Sequence, residues 1–175
     1  MRRAKVIAAV VAGLSAVGVS CGGGGGSPVA SEPGAATVAR VVDGDTIRVR
    51  IAGRDEPVRL VGIDTPESVK PGTPVQCFAL AASARTKALL PEGSQVRLVR
   101  NVEERDRYGR LLAYVYRAND DLFVNLALVR EGYAVALTIP PNVAHADEIV
   151  AAARDARESG RGLWAACGAE AIPDG

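Results

Sequence analysis

Carboxylates and guanidiniums gather in three short runs of this chain. They are Val42-Asp43-Gly44-Asp45-Thr46, then Arg59 leading into Asp64-Thr65-Pro66-Glu67, then Asp106-Arg107-Tyr108-Gly109-Arg110. Ionised carboxylates hold a hard cation through oxygen, and a guanidinium grips phosphate through two parallel hydrogen bonds. A site with both suits cleavage of a polyanion. Asp45 follows a tight-turn signal and Asp64 ends a strand, so strand pairing would bring both to one end of a sheet. Two carboxylates, a main-chain carbonyl and water make an oxygen-only site for Ca²⁺ or Mg²⁺ rather than for a transition metal. Arg59 lies inside the apolar run Val58 to Ile63, where an arginine is seldom buried without a partner. It is either the ion-pair partner of Asp64 or Glu67, or a phosphate ligand. Arg105, Arg107 and Arg110 flank Tyr108-Gly109, a turn that offers Arg110 to the site and a phenol to a phosphate or base. Each run also has a plain reading: Asp-Gly turn chemistry, a capped turn, a solvated basic loop. What sets them apart is that each contributes a group the same reaction needs.

The elements that must position these groups follow from pattern. Thr37 to Val42 alternates and stops at Asp43-Gly44. Thr46 to Ile51 alternates strictly, with Ile47, Val49 and Ile51 inward. Val58 to Ile63 is a third strand, which Pro66 ends. Val75 to Leu90 has helical spacing and stops at Pro91 and Gly93. Gln95 to Val99 and Leu111 to Tyr116 are further strands. Val124 to Arg130 reads as a short helix closed by Gly132, and Ala144 to Ser159 as a last helix. The expectation is an α+β domain: a five-stranded OB-type β-barrel, built as a meander, with about three capping helices.

The termini have a different character. Arg2, Arg3 and Lys5 precede an apolar stretch, Val6 to Val19, that reads as a signal peptide over residues 1–20. Cys21, directly after it, resembles the lipobox cysteine of bacterial lipoproteins, although Gly18 stands where leucine is usual. Acylation of Cys21 would anchor the protein to a membrane, and ordinary cleavage nearby would secrete it. Residues 21–35 form a glycine-rich tether, residues 36–168 the domain and residues 169–175 a tail. Loss of Arg2, Arg3 and Lys5 leaves 18 basic against 20 acidic side chains. That balance argues against nucleic-acid binding through a broad basic surface and requires local grip. Cys77 and Cys167 are expected to pair in an exported chain, the alternative being two buried thiols. With one histidine, His145, no spacing suits zinc. That histidine is expected to cap or decorate the last helix.

In order and spacing, Val-x-Asp-Gly-Asp-Thr, Arg-Leu-x-x-Ile-Asp-Thr-Pro-Glu and Asp-Arg-Tyr-Gly-Arg-x-Leu-Ala-Tyr resemble the staphylococcal nuclease family. The likeness extends to Val124-Asn125, Ala127-Leu128-Val129-Arg130-x-Gly and Pro141-Asn142, and it runs from about Ala36 to Trp164. It implies a Ca²⁺-dependent phosphodiesterase on DNA and RNA that cuts the P–O5′ bond and leaves 3′-phosphates. Asp45 and Asp64 then correspond to carboxylate ligands, Thr65 to a carbonyl ligand, and Glu67 to a group acting on water. Arg59 and Arg110 correspond to the pair that neutralises the phosphorane, and Arg107 and Tyr108 to holders of a second phosphate. Leu137 and Ile139 stand where the family carries aromatic residues of its nucleotide pocket. The expected protein is a monomeric, extracytoplasmic, lipid-anchored nuclease. A non-catalytic OB-type binding module and an adhesion or assembly lipoprotein are the rival readings.

Overall fold

The computed structural model describes residues 35–68, 72 and 74–168. The expected signal segment, Cys21, most of the tether and the tail therefore lie outside the described residues. Among the described residues, seven strands and four helices follow in the order β1 (Ala35–Asp43), β2 (Thr46–Ile51), β3 (Arg54–Leu60), β4 (Ile63–Asp64), α1 (Ala79–Leu89), β5 (Gln95–Val99), β6 (Leu111–Arg117), α2 (Val124–Arg130), β7 (Val135–Ala136), α3 (Ala146–Glu158) and α4 (Leu163–Ala166). Five of the strands close a barrel in the order β1-β2-β3-β6-β5, and β4 pairs with β7 in a separate ribbon. This is the OB-type α+β architecture that the strand pattern called for.

Strand alternation fixes what faces the barrel interior. Ile47 and Val49 of β2, Val58 and Leu60 of β3, and Ala113 and Val115 of β6 are fully buried. The outer positions of β2 are Thr46, Arg48 and Arg50. The first three strands form the expected meander, but closure uses a parallel pair, β3 with β6, from Val58↔Leu111 to Leu60↔Ala113. Pro57 is tolerated in β3 because the ladder to β6 begins one residue later, where an N–H is next needed.

The expected third strand divides in two. Gly62, at φ +81°, turns the chain between Leu60 and Ile63, and a Cβ there would meet Ile149 of α3 at 2.7 Å. Glycine takes this left-handed backbone without strain, and a side chain there would also have to displace the end of Ile149. The first helix starts at Ala79 instead of Val75, because Phe78 enters it in the left-handed region (φ 68°) and Cys77 is held in a bond to Cys167. Besides the three expected helices there is a fourth, the single turn α4. It is set by the close pass of two glycine backbones, with Leu163 N–H donating to Gly132 C=O at 2.9 Å. His145 does not cap α3 through its side chain. Its ring packs edge-on against Tyr114 at 4.5 Å and lies 4.9 Å from Phe123, and Nδ1 contacts Glu148.

Candidate active site

The β1–β2 turn is the base of the site. Asp43 ends β1, and its Oδ1 accepts from Gly44 N–H at 2.8 Å and from Ser68 Oγ at 2.6 Å. Plain turn chemistry explains the first bond but not the second, which ties the turn to the chain after Glu67. Gly44 passes so close to Thr65 that a Cβ would fall 2.6 Å from its Oγ1. From the other side, Thr86 of α1 donates its hydroxyl to Gly44 C=O at 2.6 Å. The turn is therefore clamped between a strand end and a helix.

Asp45, the next residue, is buried and well bonded. Its Oδ2 accepts from both the N–H and the hydroxyl of Thr65 at 3.0 Å, and its Oδ1 from Thr46 Oγ1 at 3.0 Å. Arg59 projects from β3 opposite Thr46 and bridges two carboxylates. Nη2 meets Asp64 Oδ1 at 2.6 Å and Nη1 meets Asp45 Oδ2. Nη1 is buried, yet it has no aligned hydrogen-bond acceptor. One guanidinium thus serves two carboxylates and keeps unused donor capacity.

The charge is under-compensated. Burial pushes the Asp64 carboxyl up to about 6; the Arg59 cation opposes the shift, and the neighbouring Asp45 adds to it. Asp43 is also raised, first by burial and further by the Glu67 side chain bonded to it. Glu67 is half-buried and fixed through its backbone: its N–H donates to Gln76 Oε1 at 2.6 Å and its C=O accepts from Gln76 N–H at 3.0 Å.

The third run forms the opposite wall. Asp106 Oδ1 accepts from the N–H groups of Tyr108 and Arg110 at 2.9 and 3.0 Å, and its Oδ2 from Arg110 Nε at 2.6 Å. These bonds to Arg110 and the loop backbone outweigh burial and hold the Asp106 carboxyl below the usual range. The loop is closed by Gly109 at φ +78°. Arg107 lies over the exposed Tyr108 ring and bonds its hydroxyl at 2.7 Å. A cavity of about 410 Å³ opens between this loop and β3. Arg59, Arg107, Tyr108 and Arg110 line it together with Leu137 and Ile139. Asn142 holds its rim by bonding both the N–H and the C=O of Glu103, at 2.8 and 2.9 Å.

The predicted residues therefore fall into three connected groups. Asp45, Asp64 and Thr65 meet around Arg59; Arg59, Arg110, Arg107 and Tyr108 share the cavity; Glu67 adjoins through Asp43. Cys77 and Cys167 are bonded to each other. Sequence reasoning included Asp43 and Asp106 in the charged runs but gave them no role in the site, and it passed over Thr86 and Gln76. Asp43 and Asp106 each open a turn with aspartate, which is the signal that marks them; Thr86 and Gln76 carried none.

Among the described residues, no three or more His, Cys, Asp or Glu side chains form a ready metal cage. What converges is a pair of carboxylates beside Thr65, with negative charge that Arg59 alone leaves under-neutralised. That donor set fits an oxygen-seeking divalent cation that retains water, and it does not fit zinc.

An OB-type barrel with a carboxylate–guanidinium centre beside an arginine-lined cleft defines a class of proteins built to handle phosphate. The family model of the staphylococcal nuclease homologues matches residues 57–166, more than half of the chain. The chain is 46% identical over 127 residues to a thermonuclease of Staphylococcus intermedius, covering 73% of this chain and 74% of that protein. It is 42% identical to a thermonuclease of Staphylococcus hyicus, covering 73% of each. It is 38% identical over 133 residues to endonuclease YncB of Bacillus subtilis, covering 75% of this chain and 62% of that protein. The chain belongs to the staphylococcal nuclease family.

Proposed function

We propose that this chain hydrolyses phosphodiester bonds of DNA and RNA with the help of Ca²⁺, cutting P–O5′ and leaving 3′-phosphates. As a member of this family it is a nuclease, a hydrolase whose substrate is nucleic acid. The observation that carries the mechanistic reading is the double ion pair of Arg59 with Asp45 and Asp64, at the edge of a cavity that Arg110 also lines.

Asp45, Asp64 and the Thr65 carbonyl would hold the cation, which would supply positive charge to a phosphate oxygen and to bound water. Arg59 lines the cavity, and a phosphate oxygen of the substrate would take the donor capacity that its carboxylate contacts leave unused. Arg110 is oriented through Nε by Asp106, which leaves its other nitrogens for the same phosphate. Two guanidiniums on one phosphorane oppose the charge that grows as water attacks, and such donors are worth about 3 kcal/mol each. Glu67 takes the proton from the attacking water or orients it, held in place by its backbone bonds to Gln76. Arg107 and Tyr108 grip a neighbouring phosphate. Leu137 and Ile139 give the cleft an apolar wall without aromatic stacking, so base preference is expected to be weak.

The remaining expectations join this proposal: an extracytoplasmic monomer, tethered through acylated Cys21. Mass spectrometry of the mature N-terminus tests the tether, and an unacylated terminus beyond Cys21 would remove it. For the chemistry, Glu67→Gln is expected to lower kcat on single-stranded DNA by about 10²–10⁴-fold while leaving Ca²⁺-dependent DNA binding in place. Full activity in the variant, or cleavage by the parent protein in EGTA, would sink the mechanism. Binding without any cleavage by the parent in Ca²⁺ would instead assign a binding module.

A further inference from the structure

Strand register builds a row of guanidiniums on the outer face of the barrel. Arg40 of β1 stands directly opposite Arg48 of β2, and Arg50 lies two residues further on, opposite Thr37. Successive outward positions of β2 are about 6–7 Å apart, comparable with the spacing of phosphates along an extended nucleic-acid strand. The row begins at the active site. Thr46, at its head, is the register partner of Arg59, so Arg48 is the diagonal neighbour of Arg59, about 7–8 Å away.

Two of the three charges on this row are not spent on structure. Arg48 is paired with Asp55 at 2.7 Å. Arg40 and Arg50 are exposed, and neither forms an ion pair among the described residues. Like charges directly across a ladder weaken it, so the Arg40–Arg48 juxtaposition needs a reason. β2 pairs with β1 at this point, whereas the pairing of β1 with β5 covers only Ala35 to Thr37.

We infer that the outer face of β1 and β2 is a second nucleic-acid-binding surface, on which Arg48, Arg40 and Arg50 take successive phosphates of the strand that leaves the scissile centre at Arg59. The inference rests on the proposed phosphodiesterase reading. It also reconciles that reading with a domain of slightly acidic balance: the grip is a local track, and arginine suits it because each guanidinium binds phosphate bidentately. An anionic membrane is the poorer match, since such surfaces are read by clusters of about 4–8 basic residues and this face holds three arginines and one neutralising aspartate.

The test is the double variant Arg40→Ala/Arg50→Ala, which keeps the Arg48–Asp55 pair. Steady-state kinetics in Ca²⁺ are compared on a long single-stranded oligonucleotide and on a nitrophenyl ester of a single thymidine phosphate. The expected result is a several-fold rise in KM for the long strand alone, with kcat and the short-ester constants unchanged. The slope of log KM against log salt should shrink by about 1.4, the value for two single-strand phosphate contacts. An unchanged long-strand KM and salt slope overturn the inference. So does the same KM with lost binding to vesicles of anionic phospholipid, which would assign the face to a membrane. Failure of the underlying reading looks different: the parent protein would cleave neither substrate.

Discussion

Arg59 is a single cation set between one buried and one partly buried carboxylate, and the imbalance this leaves is readable as a pH response. The folded Asp64 carboxyl sits at about 6 against an ordinary 3.8, chiefly through burial. The folded chain therefore keeps this proton across a window in which the unfolded chain has released it. The stability so contributed is present in acid and is lost as pH rises through about 6. A bound cation reverses the balance, because it requires the ionised form. Ca²⁺ affinity should accordingly be level above neutrality and fall about tenfold per pH unit below about pH 6. Calorimetric Ca²⁺ titrations from about pH 5 to pH 8 measure this, and a flat profile would exclude Asp64 as a ligand. At this scale the sequence was informative. Arg59 stood out as a charge inside an apolar strand, whereas Asp45, Asp64, Glu67 and Arg110 were marked by the three runs taken together and by the family resemblance. Asp43 was harder to see, because its Asp-Gly context has a sufficient local explanation. Its bond to Ser68 spans 25 residues and leaves no local trace.

Elements convert those residues into a site by holding one turn rigid. The Gly44 carbonyl at the β1–β2 corner points into the protein and is satisfied by the hydroxyl of Thr86, itself fully buried. Thr86→Val keeps the shape and removes the donor, leaving a buried carbonyl unpaired. The expected loss is about 1–3 kcal/mol, read as a lower urea midpoint, with a weaker Ca²⁺ affinity because the Asp43–Asp45 corner loosens. An unchanged midpoint would show that the clamp carries no energy. The sequence displayed β2 through strict alternation, and helix α2 through Val124 to Arg130, with correct ends. It did not display β4 or β7, since two residues hold no period. Nor did it place the start of α1, which is decided by a left-handed Phe78 and a distant cysteine. The arginines of β2 looked like the ordinary polar half of an amphipathic strand. Only the register with β1 shows that Arg40 stands across from Arg48.

For the whole molecule, closure is non-local. The parallel pairing of β3 with β6 joins segments about 50 residues apart, and α1 is tied to α2 by the two-pronged Arg85–Glu131 pair at 2.6 and 2.7 Å. Composition and turn spacing pointed to a barrel, yet they carried no information on which strands meet at the seam. Across all of this lies the Cys77–Cys167 bond, with a sequence separation of 90. A closed loop of that length restrains the unfolded chain by about 4–5 kcal/mol in the chain-entropy account. The Cys77→Ala/Cys167→Ala variant should therefore unfold at a clearly lower urea concentration than the parent. Addition of reductant should shift the parent to the same value. Coincident curves for oxidised and reduced parent would remove the bond from the stability of the fold.

That bond also makes most of the domain a covalent ring, with the exposed Val102 and Tyr108 on its circumference. A protease that cuts there severs the backbone without dividing the molecule. The two pieces stay within reach of each other at a fixed effective concentration, and re-form the barrel by an encounter that dilution does not slow. Only a reductant sets them free. A nicked molecule would thus run as one species until its thiols were released, and as two afterwards.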